Sequence, residues 1–253
     1  MVTDNIADAY NDFYTGKEVE WRMLGAKAKA KNIIEVCKDI QPKKILEVGA
    51  GDGSILHYLN DSNFGEELYA LEIAESGVSI IENRNLSKVK EVKSFDGYSI
   101  PYGDNSFDLV ILAHVLEHVE HERVLLRELK RVAKFLVIEV PLDYRFGVDN
   151  RMKHFLDYGH INMYTPTLVR FLLKSEGFAI IADKTSLTPV ETIKFCDFEV
   201  LKKQKTALKV LKIELEYSIK KMLGKLLGKN KTEQFGNAYT VLTETSSQNL
   251  QIF

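Results

Sequence analysis

Residues 113–121 read AHVLEHVEH, and His114, Glu117 and His118 within that stretch are residue types that ligate a divalent ion or move a proton. Their i, i+3, i+4 spacing lets all three project from one face of a helix. As ligands they match the inverted spacing used by some zinc hydrolases. A general base on His114 or His118 is the other chemistry, and a structural helix start is a third reading. The stretch by itself leaves these open.

A second group lies upstream. In Glu47-Val48-Gly49-Ala50-Gly51-Asp52-Gly53-Ser54 glycine takes every second position from 49 to 53, which lets the backbone turn sharply and approach a ligand at the mouth of a helix. Ser54 stands where the dinucleotide fingerprint GxGxxG needs its last glycine, so NAD is not favoured. Glu47 beside the turn would repel a pyrophosphate and suits a ligand carrying an ammonium. Glu72, roughly twenty residues past the turn, can accept hydrogen bonds from both hydroxyls of a ribose. Phe95-Asp96-Gly97 offers an apolar ring and an acid to an adenine.

Positioning these groups requires strands that end beside them. Short apolar runs at 43–48, 67–72, 89–94, 107–113, 135–140, 178–183 and 238–243 read as strands. Helical periodicity fits 53–60, 74–84, 115–133 and 165–176, with a further helix over about 19–40. Such alternation predicts an α/β fold with a mostly parallel sheet covered by helices on both faces.

A chain of 253 residues that is 45% hydrophobic can bury a core without disulfides, and Cys37 and Cys196 stand far apart outside any CxxC, as in a reduced cytoplasmic protein. The formal charge of −2 argues against bulk nucleic-acid binding. No signal peptide and no uncharged apolar run of spanning length is read. Residues 202–231 depart from the average: ten lysines against Glu214 and Glu216 give +8 there and leave −10 on the rest. Leu208, Leu211, Leu215, Ile219, Met222 and Leu226 recur within it at steps of three and four. The expectation is a basic amphipathic helix that packs on the body or a second copy, or lies on a membrane surface.

Together, ILEVGAGDGS, the LEI at 71–73, the SFDG at 94–97 and DNSFDLVILAHVLEHV at 104–119 resemble the class I S-adenosylmethionine-dependent methyltransferases over about residues 40–183. The resemblance implies a Rossmann-like seven-stranded sheet of order 3-2-1-4-5-7-6 with the last strand antiparallel. It sets a helical cap at 1–42 ahead of a methyltransferase domain at 43–253, with a helical insertion over about 190–233. The cofactor it implies is S-adenosyl-L-methionine, leaving as S-adenosyl-L-homocysteine. Glu47, Gly49, Ala50 and Gly51 would hold the methionine portion, Glu72 the ribose, and Ile73, Asp96 and Gly97 the adenine, with Ala113 also in the cofactor set.

On this reading HVLEH starts at the carboxyl edge of the fourth strand, where ligands bind in open α/β sheets, and the zinc-hydrolase reading falls. A subset of the family, the ubiquinone-pathway O-methyltransferases, uses a Glu-x-x-Glu-His version of the stretch to hold a divalent ion. Histidine fills the first slot here, so a metal on His114, Glu117 and His118 is a secondary reading and none is assigned. His114, His118 and His160 are the candidate bases, His160 lying in the long loop 141–166 within a Gly-His…Tyr-Thr-Pro pattern similar to the family's. Arg145, Arg151 and Lys153 in that loop would suit an anionic acceptor, and Tyr14 and Trp21 would close a cap over the cofactor. The acceptor expected is a small polar molecule, oxygen in preference to nitrogen. Similarity to bacterial surface-polysaccharide tailoring enzymes points to a sugar or an O-methyl phosphoramidate precursor. A quinone- or phenol-type O-methyltransferase docked on a membrane, and an interaction protein that merely keeps the fold, are the alternatives.

Overall fold

In the computed structural model, which describes residues 19–144, 147–228 and 233–246, the apolar runs become β1 (Lys44–Val48), β2 (Glu67–Glu72), β3 (Val89–Ser94), β4 (Phe107–Ala113), β5 (Ala133–Pro141), β6 (Ala179–Ser186) and β7 (Ala238–Glu244). They form one sheet of order β3-β2-β1-β4-β5-β7-β6. β7 runs antiparallel to both of its neighbours, and the other pairings are parallel. The order and the antiparallel last strand are those expected.

Alternation within each central strand sends side chains to two layers. Leu46, Val48, Val110 and Leu112 point to one side, where they meet Leu125, Leu126 and Leu129 of α4 (Glu122–Val132) and Leu172 and Leu173 of α6 (Pro166–Ser175). Ile45, Leu109 and Ile111 point to the other. There they meet Ala30 and Ile33 of α1 (Val19–Val36), Leu56 and Leu59 of α2 (Ser54–Asp61) and Ile81 of α3 (Glu75–Asn83). Both faces of β1 and β4 are therefore dry, which is why these strands read as nearly continuous apolar runs. α6 begins where the sequence placed it, with the Thr165 hydroxyl accepting from the Leu168 amide at 3.2 Å and Pro166 in the first turn.

The helix expected over 115–133 is broken. A single 3-10 turn covers Leu116–His118, Val119 is extended, and α4 starts only at Glu122. The carbonyls that would propagate an α-helix are occupied from outside. The Glu117 carbonyl accepts from the Ile161 and Asn162 amides at 2.9 and 3.0 Å. The Asn162 side-chain amide donates to Val119 at 2.7 Å and to Leu116 at 3.3 Å. Residues 161–164, after the short α5 (Met152–Tyr158), thus strap the turn down.

Between β6 and β7 lie α7 (Val190–Phe195), a π-turn over Cys196–Val200, and α8 (Ala207–Leu227). No residue of α8 is buried. Ile213 and Tyr217 share a cleft with Leu187 and Ile193, while Leu208, Leu211, Leu215, Ile219, Met222 and Leu226 are all exposed. Among the described residues no helix is long and apolar enough to cross a membrane.

Candidate functional site

At the carboxyl end of β1 the chain turns through Gly49, Gly51 and Gly53, all at positive φ. A Cβ on Gly49 would lie 2.5 Å from Val115, so only glycine lets the turn close against the segment after β4. The turn is braced from two helices: Asp52 accepts from Arg22 at 3.1 Å, and Arg84 donates to the Asp52 carbonyl at 2.6 Å. Glu47 lies beneath it, 1% exposed, with Oε2 lacking any hydrogen-bond partner among the described residues. Burial pushes its carboxyl well above the ordinary value, and the nearby charge of Lys29 works against this.

Glu72 ends β2, accepting from the Gly51 amide at 2.7 Å on one oxygen and the Ala74 amide at 3.1 Å on the other. Each oxygen keeps a second lone pair for a ligand hydroxyl. Burial raises the carboxyl, only partly offset by these amides. Ala50 and Ala113 are buried nearby at 6% exposure, Ile73 is half-buried, and Gly97 sits at positive φ beside exposed Asp96. Asp96 spends Oδ1 on the Tyr98 and Ser99 amides at 2.9 and 2.6 Å. The turn, a buried carboxylate with one oxygen unpartnered and a second acid one strand over fit an amino-acid head joined to a ribonucleoside.

HVLEH lies across this turn, but not as one helical face. His114 takes φ 57°, a conformation rare for a side chain of this size and often found at functional sites. Its amide donates to the Glu139 carbonyl at 2.8 Å. Its ring lodges between two carboxylates, Nδ1 3.5 Å from Glu117 and Nε2 3.3 Å from Glu139. Both acids are 1% exposed. Glu139 also accepts from Thr240 at 2.6 Å and from Asn32 at 3.0 Å. Burial works to raise the Glu139 carboxyl, but His114, Thr240 and Lys29 outweigh it and bring it below the ordinary value.

The strap brings His160 beside His118, ring centroids 4.9 Å apart. His118 Nδ1 lies 3.0 Å from the Gly159 carbonyl, and His160 Nδ1 lies 2.7 Å from Asp143 Oδ2. Burial tends to raise the Asp143 carboxyl, yet His160 and Arg151 hold it down at about 2. The three candidate histidines thus meet at the carboxyl ends of β4 and β5. Arg151 is paired with Asp143 at 2.8 Å, and Lys153 is exposed. Trp21 stands 6.4 Å from the Tyr158 ring, while Tyr14 and Arg145 lie outside the described residues.

Sequence reasoning passed over Glu139, Asp143, Asn32 and Lys29. Glu139 carried a usable signal: a lone acid near the end of the apolar run FLVIEV, the same pattern that drew attention to Glu47 in KKILEV.

A family model described as a methyltransferase domain matches residues 22–183. The demethylmenaquinone methyltransferase of Thermotoga maritima is 24% identical over 207 residues, covering 70% of this chain and 86% of that protein. The ubiquinone/menaquinone biosynthesis C-methyltransferase of Burkholderia multivorans is 33% identical over 94 residues, covering 36% of this chain and 39% of its own length. Phosphoethanolamine N-methyltransferase 2 of Haemonchus contortus, solved in complex with S-adenosyl-L-methionine, superposes with a TM-score of 0.61 at 13% identity, over 93% of this chain and 59% of that one. That last likeness is one of fold alone.

Proposed function

The chain belongs to the class I S-adenosylmethionine-dependent methyltransferases, and from that premise we propose that it methylates a hydroxyl oxygen of a small acceptor, with His114 as the base. When bound, the cofactor supplies an electrophilic methyl carbon on a cationic sulfur. The chain's own residues align, exclude water and take the proton. Glu47 answers the ammonium of the methionine portion and Glu72 the ribose. Val115 packs on Gly49, so His114 stands one residue from the turn that grips the methionine end.

The observation that carries the base assignment is His114 lodged between Glu117 and Glu139, both dry. Glu139 accepts from Nε2 and so fixes the tautomer, Nδ1 receives the hydroxyl proton, and the imidazolium formed lies between two carboxylates. A sugar hydroxyl suits this chemistry. The pairing of Arg151 with Asp143 speaks against a phosphoramidate or phosphate acceptor.

A second reading, a quinol-type acceptor met at a membrane, draws on two observations. Named relatives act in quinone biosynthesis, and α8 exposes an aliphatic stripe in the lysine-rich segment. In that reading α8 docks on an anionic lipid surface.

Calorimetric titration with S-adenosylmethionine and S-adenosylhomocysteine, with NAD as control, followed by a turnover screen over sugars, phenols and quinols, tests the assignment. Wild type is expected to bind both sulfur ligands saturably. His114→Gln should keep that affinity while turnover of the hydroxyl acceptor falls roughly 100- to 10,000-fold. Failure of wild type to bind either ligand, or an undiminished rate in His114→Gln, overturns the reading.

A further inference from the structure

Glu139 is held more firmly than the other acid beside His114, and what holds it comes from distant parts of the chain. Its Oε2 accepts from the Thr240 hydroxyl of β7 at 2.6 Å and from the Asn32 side-chain amide of α1 at 3.0 Å. A carboxylate only accepts, so the Asn32 NH2 group faces it and spends its second hydrogen on Ser186 Oγ, also at 3.0 Å. Asn32, Glu139 and Thr240 are 7%, 1% and 0% exposed, which leaves water little access to replace a lost donor. With Oε2 taken by two donors, Oε1 is the oxygen left to His114, whose Nε2 lies 3.3 Å away. Across the ring, Glu117 lies 3.5 Å from Nδ1, and neither of its oxygens has a hydrogen-bond partner among the described residues. A neutral imidazole has one ring proton, for which the two carboxylates compete. Only a proton on Nε2 leaves Nδ1 free to take one from an acceptor.

The same helix carries this bracing to the cofactor side. On α1, Arg22 grips Asp52 of the glycine turn at 3.1 Å, about 15 Å along the helix from Asn32. Ala26, Ala30 and Ile33 are buried and seat the helix on the sheet, so it does not slide. We propose that Asn32 and Thr240 are positioning residues for the base. Through Glu139 they fix the His114 ring with its proton on Nε2, and α1 holds that base at a constant distance from the cofactor turn. Slackening Glu139 lets the ring turn its proton toward Glu117, where Nδ1 no longer accepts. This role rests on the reading of His114 as the base of methyl transfer.

The tautomer is read by nuclear magnetic resonance on the full chain labelled with ¹⁵N-histidine, the His114 ring being assigned by its absence in His114→Gln. No acceptor is needed. In wild type the ring is expected to show a single Nε2–H form. Asn32→Leu and Thr240→Val, each close in size to the residue it replaces, should convert this to a mixture with the Nδ1–H form. Thr240→Ser keeps the hydroxyl and should keep the single form. Ser186→Ala, at a half-buried position, frees Asn32 and should give a smaller change of the same kind, reporting on the network should the core variants fail to fold. Circular dichroism and S-adenosylmethionine titration check that fold and cofactor affinity are retained. With any acceptor turned over, kcat should fall roughly 10- to 100-fold in Asn32→Leu with KM little changed. A wild-type ring protonated on Nδ1, a single Nε2–H form that persists in the folded variants, or a Thr240→Ser that behaves like Thr240→Val overturns the positioning role. An undiminished rate in His114→Gln brings down the base assignment and this role with it, and a tautomer that still responds to the substitutions tells that failure apart.

Discussion

A buried carboxylate with an oxygen left unpartnered destabilises the fold that holds it, and Glu47 Oε2 is in that position. Its carboxyl is raised well above the ordinary 4.5, with burial as the leading cause. A raised folded value means its contribution to stability is fully present below about pH 4.5 and is lost as pH rises through the folded value. Glu47→Gln removes that loss. The ligand-free variant is expected to gain about 1–3 kcal/mol near neutral pH, with a flatter dependence of Tm on pH above 4.5. The same change deletes the charge that meets the methionine ammonium, so S-adenosylmethionine should bind roughly 10- to 100-fold more weakly. Thermal melts from acid to neutral pH, paired with calorimetry, read both effects. A variant that is less stable and binds the cofactor as before would make Glu47 a structural residue.

Among the elements, the 3-10 turn of Leu116–His118 exists because the strap of residues 161–164 takes its carbonyls. Asn162→Ala deletes both side-chain donations and leaves the Val119 carbonyl short of a partner. A loss of about 1–3 kcal/mol in denaturant unfolding is expected, together with loosening of the His118–His160 contact, readable as a shift of both ring resonances. Unchanged stability would mean that the backbone bonds of Ile161 and Asn162 hold the turn alone. This strap also marks where the sequence stops being legible. The strands could be read because burial on both faces writes itself as continuous apolar runs, and the glycine turn and Glu72 because their spacing is local. The expected helix from 115 fails through contacts made by residues more than forty positions away. The His160–Asp143 pair, seventeen positions apart on either side of α5, was hidden for the same kind of reason: no local periodicity records a long-range hydrogen bond.

Over the whole molecule, charge and apolar surface are divided unevenly. The 202–231 segment carries +8 and the remainder −10. Within that segment, α8 packs Ile213 and Tyr217 against the body and turns six aliphatic residues outward. Lys212 and Lys225 lie at the flanks of this stripe at helical spacing, so an anionic lipid surface meets both features at once. A second copy would meet the stripe but also its own positive charge, which favours the lipid. The expected outcome is saturable co-sedimentation with vesicles containing anionic lipid, at roughly 1 kcal/mol per lysine near the surface. Binding to neutral vesicles should be weaker, high salt should reduce binding to anionic ones, and Leu211→Glu with Leu215→Glu should abolish it. Both positions are exposed, so the double variant should keep its fold and its cofactor affinity. If anionic vesicles fail to pull the protein down, or if the double variant instead dissolves a concentration-dependent dimer, the stripe is covered by protein and the membrane-docked quinol reading loses its support.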